Sequence, residues 1–191
     1  MRYVAPTSTV RECFHQGENR RAYEMLGAHP VEQDGKAMWH FALWAPNAQK
    51  VSLVGEFCRW DKDACPMTKQ FDGTWEVRLP VAVFDVASDP ARYHYPDAAQ
   101  KLLTYKYAIQ GTDGVWHEKA DPYGFQMQLR PNTASVLCDL SGYDWGDADW
   151  LKKRAAWDAY HSPMNIYELH AGSWKQKEDG SWYNYEELAE E

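Results

Sequence analysis

Closely spaced acidic residues are the side chains of this 191-residue sequence that could transfer protons. Two neighbouring carboxyl groups can serve as a general acid and a general base. The candidates are Asp61 with Asp63, Asp147 with Asp149, and the cluster Glu186, Glu187, Glu190 and Glu191. We interpret the aspartates as residues of solvated turns. The glutamates fit an acidic first helical turn, which the helix dipole favours, so catalysis is the weaker interpretation of every group.

The cysteines and histidines lack the spacing of a metal site. Cys13, Cys58, Cys65 and Cys138 form no CxxC pair and no ligand pattern with the 7 histidines. We expect buried thiols in a reducing compartment, no metal and no cofactor. The N-terminus has no apolar stretch of signal-peptide length, and no run of about 18 apolar residues occurs. These features predict a cytoplasmic protein with no membrane partner.

Composition favours a globular protein with an uncharged ligand. Hydrophobic residues make up 45% of the sequence and charged residues 25%, as in ordinary globular domains. The net charge of -8 argues against nucleic acid as a partner, because that ligand requires clustered positive charge. The aromatic content is high at 15%, with 10 Trp and 12 Tyr. Most of these rings are expected in a core, but such an excess also occurs in proteins that stack on sugar rings.

The first 35 residues are predicted to form a helical cap. Three apolar residues with helical spacing, i, i+3 and i+4, are Val10, Cys13 and Phe14. They predict a helix within about Ser8 to Met25, with Gly17 as its stop. Gly27 and Pro30 then predict a turn before the next domain.

A period of two replaces the helical pattern from Trp39 to about Leu140. The alternating stretches are residues 39–44, 50–57, 74–79 and 105–110, separated by turn sequences such as QFDG and QGTDG. Short strands of this kind predict an antiparallel β-sandwich of about a hundred residues. The segment 84–103 has no sustained periodicity and reads as a long inserted loop, either functional or loosely ordered.

The last fifty residues have a different organisation. Residues 142–163 are polar with spaced tryptophans and predict a linker with a short helix near Trp150 to Ala156. An apolar run from Ile166 to Ala171 then predicts a strand, and Asn184 has the position of a helix N-cap. Strand, loop and helix in this order are typical of a β/α unit, whose strand requires parallel neighbours.

Several strings in a fixed order resemble the carbohydrate-binding module of family 48. They are FALWAPNAQKVSLVGEF, RW, DGTWEVRLP, YKYAI, KADPYGF and RPNTASVL. In that family the module precedes the barrel of α-glucan-active enzymes of glycoside hydrolase family 13. The upstream RAYEMLGAHP and the downstream NIYELHAGSW are similar to the branching enzymes of that family, and the resemblance spans nearly the whole chain from Phe14 onward.

The resemblance implies a fold and a domain order. We expect a mainly β protein, with an N-terminal helical cap (1–35), an immunoglobulin-like β-sandwich (36–141), a linker (142–163) and the start of a (β/α)8 barrel (164–191). A barrel requires eight such units. In the family, the two carboxyl groups of the retaining mechanism come from later barrel strands. The chain is therefore expected to be an N-terminal region without catalytic residues, inactive alone, of an enzyme that transfers α-1,4-glucan segments to α-1,6 branches in glycogen biosynthesis.

The resemblance also implies a sugar-binding surface. Trp60, Lys106 and Trp116 stand at the positions of two tryptophans and a lysine that bind glucan in related modules. An indole can cover the apolar face of a glucose ring, and an ammonium group can donate to hydroxyls. Cys58 stands where the family pattern has an asparagine, which removes an amide from the adjacent turn.

Three tryptophans outside the implied sugar-binding surface have an expected place, and the resemblance also implies partners. Trp39, Trp44 and Trp75 are expected inside the sandwich or against the barrel. The implied partners are α-1,4-glucan or glycogen and the catalytic barrel of the same full-length chain. Two alternatives are a free-standing glucan-binding module and the N-terminal part of a debranching enzyme, and the string NIYELHAGSW favours the branching enzyme over both. Whether the sandwich binds glucan or only supports the barrel stays open at this point.

Overall fold

The computed structural model describes residues 5–142 and 144–191. Residues 1–4 of the predicted cap and residue 143 of the predicted linker lie outside the described residues. Contacts within the chain divide it into two compact units, with the boundary between residues 143 and 144. No helix in the described ranges is both long and apolar enough to cross a membrane.

The first unit is built from two antiparallel sheets. Its strands are β1 (Gly27–Gln33), β2 (Lys36–Trp44), β3 (Lys50–Gly55), β4 (Thr68–Lys69), β5 (Thr74–Pro80), β6 (Thr104–Gln110), β7 (Trp116–Lys119), β8 (Gln126–Met127) and β9 (Ser135–Val136). One sheet has the order β1-β2-β5-β4, and the other has the order β3-β6-β9-β8 with β7 paired to β6. The predicted mainly β, antiparallel architecture is confirmed.

Alternating residues of the two sheets form a shared core. Trp39, Phe41 and Leu43 of β2 are buried in one cluster with Tyr105 and Tyr107 of β6. The rings of Phe41 and Tyr105 meet edge to face, with centroids 5.2 Å apart. Burial of one such side chain contributes roughly 1.5–3 kcal/mol. The period-two pattern of the sequence therefore reports the faces that hold the sheets together.

A buried carboxylate ties β6 to the turn that follows β7. Asp121 accepts hydrogen bonds from the hydroxyls of Tyr105 at 2.6 Å and Tyr107 at 3.2 Å. Its own backbone N–H donates to the Ser135 hydroxyl at 2.9 Å. Burial raises the pKa of Asp121, and the tyrosine hydroxyls oppose this effect. One network of hydrogen bonds thereby joins β6, β9 and the turn after β7.

The N-terminal region differs from the prediction in two ways. The helix α1 covers only Ser8–His15, and a short 3-10 turn at Ala22–Glu24 follows. Gly17 has a positive φ of 75° just after the helix, as expected for its stop. The turn predicted at Gly27 and Pro30 is wrong, because both residues lie in β1, and the sheet therefore begins before residue 36. β1 is an edge strand, where a missing proline N–H costs no ladder bond.

The three tryptophans that were expected inside the sandwich or against the barrel have different positions. Trp39 and Trp75 are buried in the core as expected, and the Trp75 indole N–H donates to the carbonyl of Ala45 at 2.9 Å. Trp44 is 45% exposed, so of its two expected places, inside the sandwich or against the barrel, the first is wrong. It lies on the opposite face of β2 and meets the ring of Phe14 on α1 edge to face at 5.5 Å.

The segment 84–103 is ordered and contributes to the core. It follows a 3-10 turn at Val81–Phe84 and contains a second at Val86–Ser88 and the helix α2 (Ala98–Leu102). Its buried side chains are Phe84, Tyr93, Ala98 and Leu102. The loosely ordered loop is thus excluded, because four side chains at irregular spacing are fixed against the sandwich.

The second unit has two helices and no buried residue among those described. α3 (Ala148–Ala156) agrees with the predicted linker helix. α4 covers Tyr185–Glu190. Asn184 is its N-cap residue, as predicted, and forms a capping box with Glu187. No strand occurs at residues 164–171 in this part of the chain, where one was expected. A parallel strand is stabilised by hydrogen bonds to neighbouring strands, and none pairs with this segment within the described unit.

Candidate functional site: a groove on the outer sheet face

A tight turn after β3 presents Trp60. Gly55 ends the strand, and a Cβ atom there would lie 2.3 Å from the Thr104 carbonyl oxygen and 2.4 Å from the Phe57 ring. Only glycine fits at this close approach to β6, and the turn follows directly after it. Phe57 is buried beneath the turn and contacts the ring of Phe84 at 4.8 Å. The turn is therefore anchored in the core.

Arg59 and Trp60 adopt left-handed backbone conformations, each with a φ of 57°. Such conformations cost of order 1–3 kcal/mol each in residues other than glycine. Backbone hydrogen bonds offset this cost, among them Trp60 N–H to Gly55 O at 2.9 Å and Arg59 N–H to Glu56 O at 3.1 Å. The thiol of Cys58 lies 3.4 Å from Gly55 O, so it contacts the turn where the family pattern has an amide.

Lys106 and Trp116 lie on the outer face of the second sheet. In β6 the buried core face holds Tyr105 and Tyr107, so Lys106 points to the opposite side. Trp116 of β7 pairs directly with Gln110, which shares that outer face with Lys106. Lys106 and Gln110 are four positions apart along β6, which corresponds to about 14 Å at about 3.4 Å per residue.

Trp60 and Lys106 line one groove with a volume of about 610 Å³. The other lining residues are Glu56, Tyr95, Lys101, Thr104, Gln128, Pro131, Asn132, Thr133 and Ala134. A second hollow of about 480 Å³ shares Lys101, Thr104, Gln128 and Asn132 with it. The two hollows are therefore adjacent. Trp116 does not line either of them.

The loop between Trp60 and β4 links the groove to Trp116. Lys62 lies two residues after Trp60, and its Nζ is 5.7 Å from the centroid of the Trp116 ring. A cation over an indole face is an attractive contact. The structure thus brings Trp60 and Lys106 together in a groove and places Trp116 farther along the same face. Lys62 could not be predicted as part of this surface, because its contact with Trp116 depends on the path of the loop.

The segment 84–103 supplies one wall of the groove. The Tyr95 hydroxyl donates to Glu56 Oε1 at 3.2 Å. Lys101 Nζ lies 5.1 Å from the centroid of the Tyr95 ring and 3.1 Å from Asp97 Oδ2. The contact with Asp97 raises the pKa of Lys101, which keeps its ammonium group charged and able to donate. Neither Tyr95 nor Lys101 was predicted from the sequence as a site residue. The two closely spaced tyrosines of RYHY, residues 92–95, were the available signal for Tyr95.

Closely spaced acidic residues stabilise turns and helix ends. Asp61 Oδ1 accepts from the backbone N–H of Asp63 at 2.9 Å. Asp147 and Asp149 lie at the exposed start of α3. Glu187 accepts from the Lys177 ammonium at 2.6 Å in addition to its role in the capping box. Asp61, Asp63, Glu186 and Glu187 have the predicted structural roles. Asp149 instead lies in the first turn of the helix α3, and Glu190 and Glu191 lie at the C-terminal end of α4, where the predicted first-turn position is wrong.

The only carboxylate among the residues that line the described groove is Glu56. It accepts a hydrogen bond from Tyr95 and lies 3.7 Å from the Arg92 guanidinium. A retaining glycosidase or transglycosylase requires two carboxyl groups about 5 Å apart. The groove therefore has donors, an acceptor and aromatic faces, which are the groups of a binding surface.

Comparison with known families identifies the class of this fold. Residues 25–124 match the family Carbohydrate-binding module 48 (Isoamylase N-terminal domain), and the chain belongs to this family. The match covers β1 to β7 with the groove turn and all three tryptophan and lysine positions.

Similar full-length proteins narrow the class further. The chain is 43% identical over 179 residues to "1,4-alpha-glucan branching enzyme GlgB" from Nitrosomonas eutropha, covering 93% of this chain and 22% of that protein. It is 41% identical over 187 residues to the protein of the same name from Bacillus caldolyticus, covering 97% of this chain and 26% of that protein. The chain thus spans about a quarter of the length of these relatives, in their N-terminal part.

Solved structures are more distant. A pullulanase from Anoxybacillus sp. LM18-11 complexed with maltotetraose aligns with 72% of this chain and 16% of its own, at 20% identity and a TM-score of 0.42. This similarity is too low to support an inference about the site.

Proposed function

We propose that this chain is the N-terminal, glucan-binding region of a 1,4-α-glucan branching enzyme, and that the groove face is its sugar-binding surface. The observation that carries the proposal is the meeting of Trp60 and Lys106 in one groove, with Trp116 on the same sheet face. The whole protein would cut an α-1,4-glucan and rejoin the segment through an α-1,6 bond in glycogen biosynthesis, in the cytoplasm.

The chemistry of the surface suits a neutral, partly apolar ligand. An indole covers the C–H face of a glucose ring, while Lys101 and Lys106 donate to hydroxyls and Glu56 accepts. Covering one ring face buries only tens of Å² and contributes roughly 1 kcal/mol at about 25 cal/mol per Å². Affinity for short oligosaccharides is then on the order of millimolar.

The spacing of Lys106 and Trp116 along the sheet favours chains over single sugars. Lys106 and the position opposite Trp116 are about 14 Å apart along β6, which exceeds the width of one hexose ring. A ligand that contacts both Lys106 and Trp116 must therefore extend over several linked glucose units. Glycogen and long maltooligosaccharides satisfy this requirement.

The second unit supports the assignment to a larger enzyme. It exposes many large apolar side chains, including Trp150 at 58%, Ile166 at 77%, Tyr167 at 75% and Tyr185 at 86%. Large apolar side chains exposed in this number, in a unit whose described residues include none that is buried, suit a contact with another domain. The partner in this proposal is the catalytic barrel of the same full-length protein, which begins at about residue 164. The chain alone is expected to form no branches.

Affinity electrophoresis in gels that contain glycogen tests the binding surface. We expect glycogen to retard the native chain, and Trp60→Ala and Trp116→Ala to reduce the retardation. The matched control is Trp150→Ala, which removes an exposed indole of α3 and is expected to leave the retardation unchanged. If Trp60→Ala and Trp116→Ala both keep the native mobility and a folded β-sandwich, the sandwich has a purely supporting role.

A further inference from the structure

Two cysteine side chains meet beneath the loop that carries Trp60. The side chains of Cys58 and Cys65 are near enough for each to shift the pKa of the other. Both residues flank Leu53 of β3: the Cys58 Sγ lies 3.9 Å from the Leu53 carbonyl oxygen, and the Leu53 N–H donates to the Cys65 carbonyl at 2.9 Å. Both cysteines therefore lie beside the same residue of β3.

Neither thiol belongs to the wall of the groove, and neither is in a disulfide. Both are partly exposed and pack against the same core cluster. The nearby Cys65 thiol lowers the pKa of Cys58 to about 7, which leaves a substantial thiolate fraction at neutral pH. The Cys58 side chain also raises the pKa of Cys65. The pair thus has one reactive sulfur and one adjacent resolving thiol.

We propose that Cys58 and Cys65 form a thiol–disulfide exchange site, at which a low-molecular-weight disulfide such as oxidised glutathione converts the pair to an intramolecular disulfide. The Cys58 thiolate attacks one sulfur of the small disulfide, forms a mixed disulfide and releases one thiolate. Cys65 then loses its proton and attacks Cys58 Sγ, which forms the protein disulfide and releases the second small thiolate. The protein loses two hydrogen atoms, and the small disulfide is reduced to two thiols.

The bond would close residues 58–65 into a ring. This loop holds Trp60 and Lys62, which contact the groove and the Trp116 ring, respectively. A disulfide would restrict the loop in the oxidised chain. The exchange site itself rests on the cysteine contact and does not depend on sugar binding.

The test uses the folded, fully reduced chain with oxidised glutathione as the probe. Free thiols are counted with a chromogenic reagent, and the linked peptides are identified by mass spectrometry. We expect the thiol count to fall from 4 to 2, with a Cys58–Cys65 peptide pair and reduced Cys13 and Cys138. An unchanged count, or glutathione spread evenly over all four cysteines, would overturn the proposal.

Variants assign the roles of the two sulfurs. Cys65→Ser is expected to trap glutathione on Cys58 as a stable mixed disulfide, whereas Cys58→Ser should leave Cys65 largely unmodified. The double variant Cys13→Ser with Cys138→Ser is the matched control and should form the protein disulfide at the native rate. Loss of the disulfide in this control, or equal reaction of both single variants, would contradict the assigned order.

Discussion

Trp60 shows how one residue gains access to a ligand beside a closely packed sheet. Its left-handed φ of 57° follows that of Arg59, and both depend on the turn fixed by Gly55 and Phe57. A tryptophan on the core-facing side of a strand packs into the core, as Trp39 and Trp75 do. The free energy spent on the backbone therefore directs an indole into the groove, a combination often found at functional sites.

Tyr95 provides a prediction at the same scale. Tyr95→Ala removes a ring from the groove wall and should weaken retardation by glycogen about fivefold, which corresponds to roughly 1 kcal/mol. Tyr95→Phe keeps the ring and removes only the hydroxyl that contacts Glu56, so most of the retardation should remain.

The control for Tyr95 is Tyr160→Ala, because Tyr160 is 95% exposed in the second unit. Its mobility in the glycogen gel should equal that of the native chain. Equal mobility of Tyr95→Ala and the native chain would remove the segment 84–103 from the binding surface and leave it a structural role.

At the scale of elements, α1 is fixed to the first sheet by one guanidinium. Arg11 of α1 contacts Asp72 at 2.6 Å and Glu76 of β5 at 3.1 Å, with only 16% of its side chain exposed. Burial opposes ionisation of Asp72, but the Thr74 N–H and Arg11 lower its pKa overall. The pKa of Glu76 is lowered first by contact with His40 and then by Arg11. Ion pairs between partly buried groups hold α1 in place.

Arg11→Gln should reduce the free energy of unfolding by about 2 kcal/mol at pH 7, the usual range for hydrogen bonds between charged groups. Because the folded-state pKa values of Asp72 and Glu76 are lowered, their contribution is complete above their unfolded pKa values of about 4 and is lost as pH falls through the folded ones. The difference between native chain and variant should therefore shrink on acidification. Urea unfolding at pH 7 and pH 3 measures it.

The matched control for this experiment is Arg21→Gln. Arg21 pairs with Glu24, but 66% of its side chain is exposed. An exposed pair of this kind contributes little to stability, because water and salt screen it. A loss in Arg21→Gln as large as that in Arg11→Gln, or a loss in Arg11→Gln that does not vary with pH, would contradict the assigned ion pairs.

The elements also show which features a single sequence can reveal. β2, β5 and β6 follow from alternation, because each buries one face against the opposite sheet. β1 could not be predicted, since Pro30 is compatible with a strand only at an edge, and the edge is set by the pairing of distant strands. Trp60, Lys106 and Trp116 followed from family resemblance, whereas Tyr95 and Lys62 reach the surface through loop packing that has no local periodicity.

At the scale of the whole molecule, the two units differ in how they are stabilised. The first has a core shared by two sheets, with Phe41, Leu53, Leu102 and Tyr107 fully buried. The second has no buried residue among those described and is held locally by the α4 capping box and by ion pairs of Lys175 and Lys177. Segments with few buried apolar contacts open at low free energy.

Limited proteolysis of the purified chain should therefore remove the region after about residue 162 and leave a resistant fragment that contains β1 to β9. Cleavage is expected first in the exposed stretch 157–172, which has no helix or strand, because proteases require locally extended, accessible backbone. The fragments are identified by mass spectrometry during a time course. A protease of broad specificity serves as the control for sequence preference. Equal protection of both units would mean that residues 144–191 are stabilised by contacts beyond the local helix caps and ion pairs.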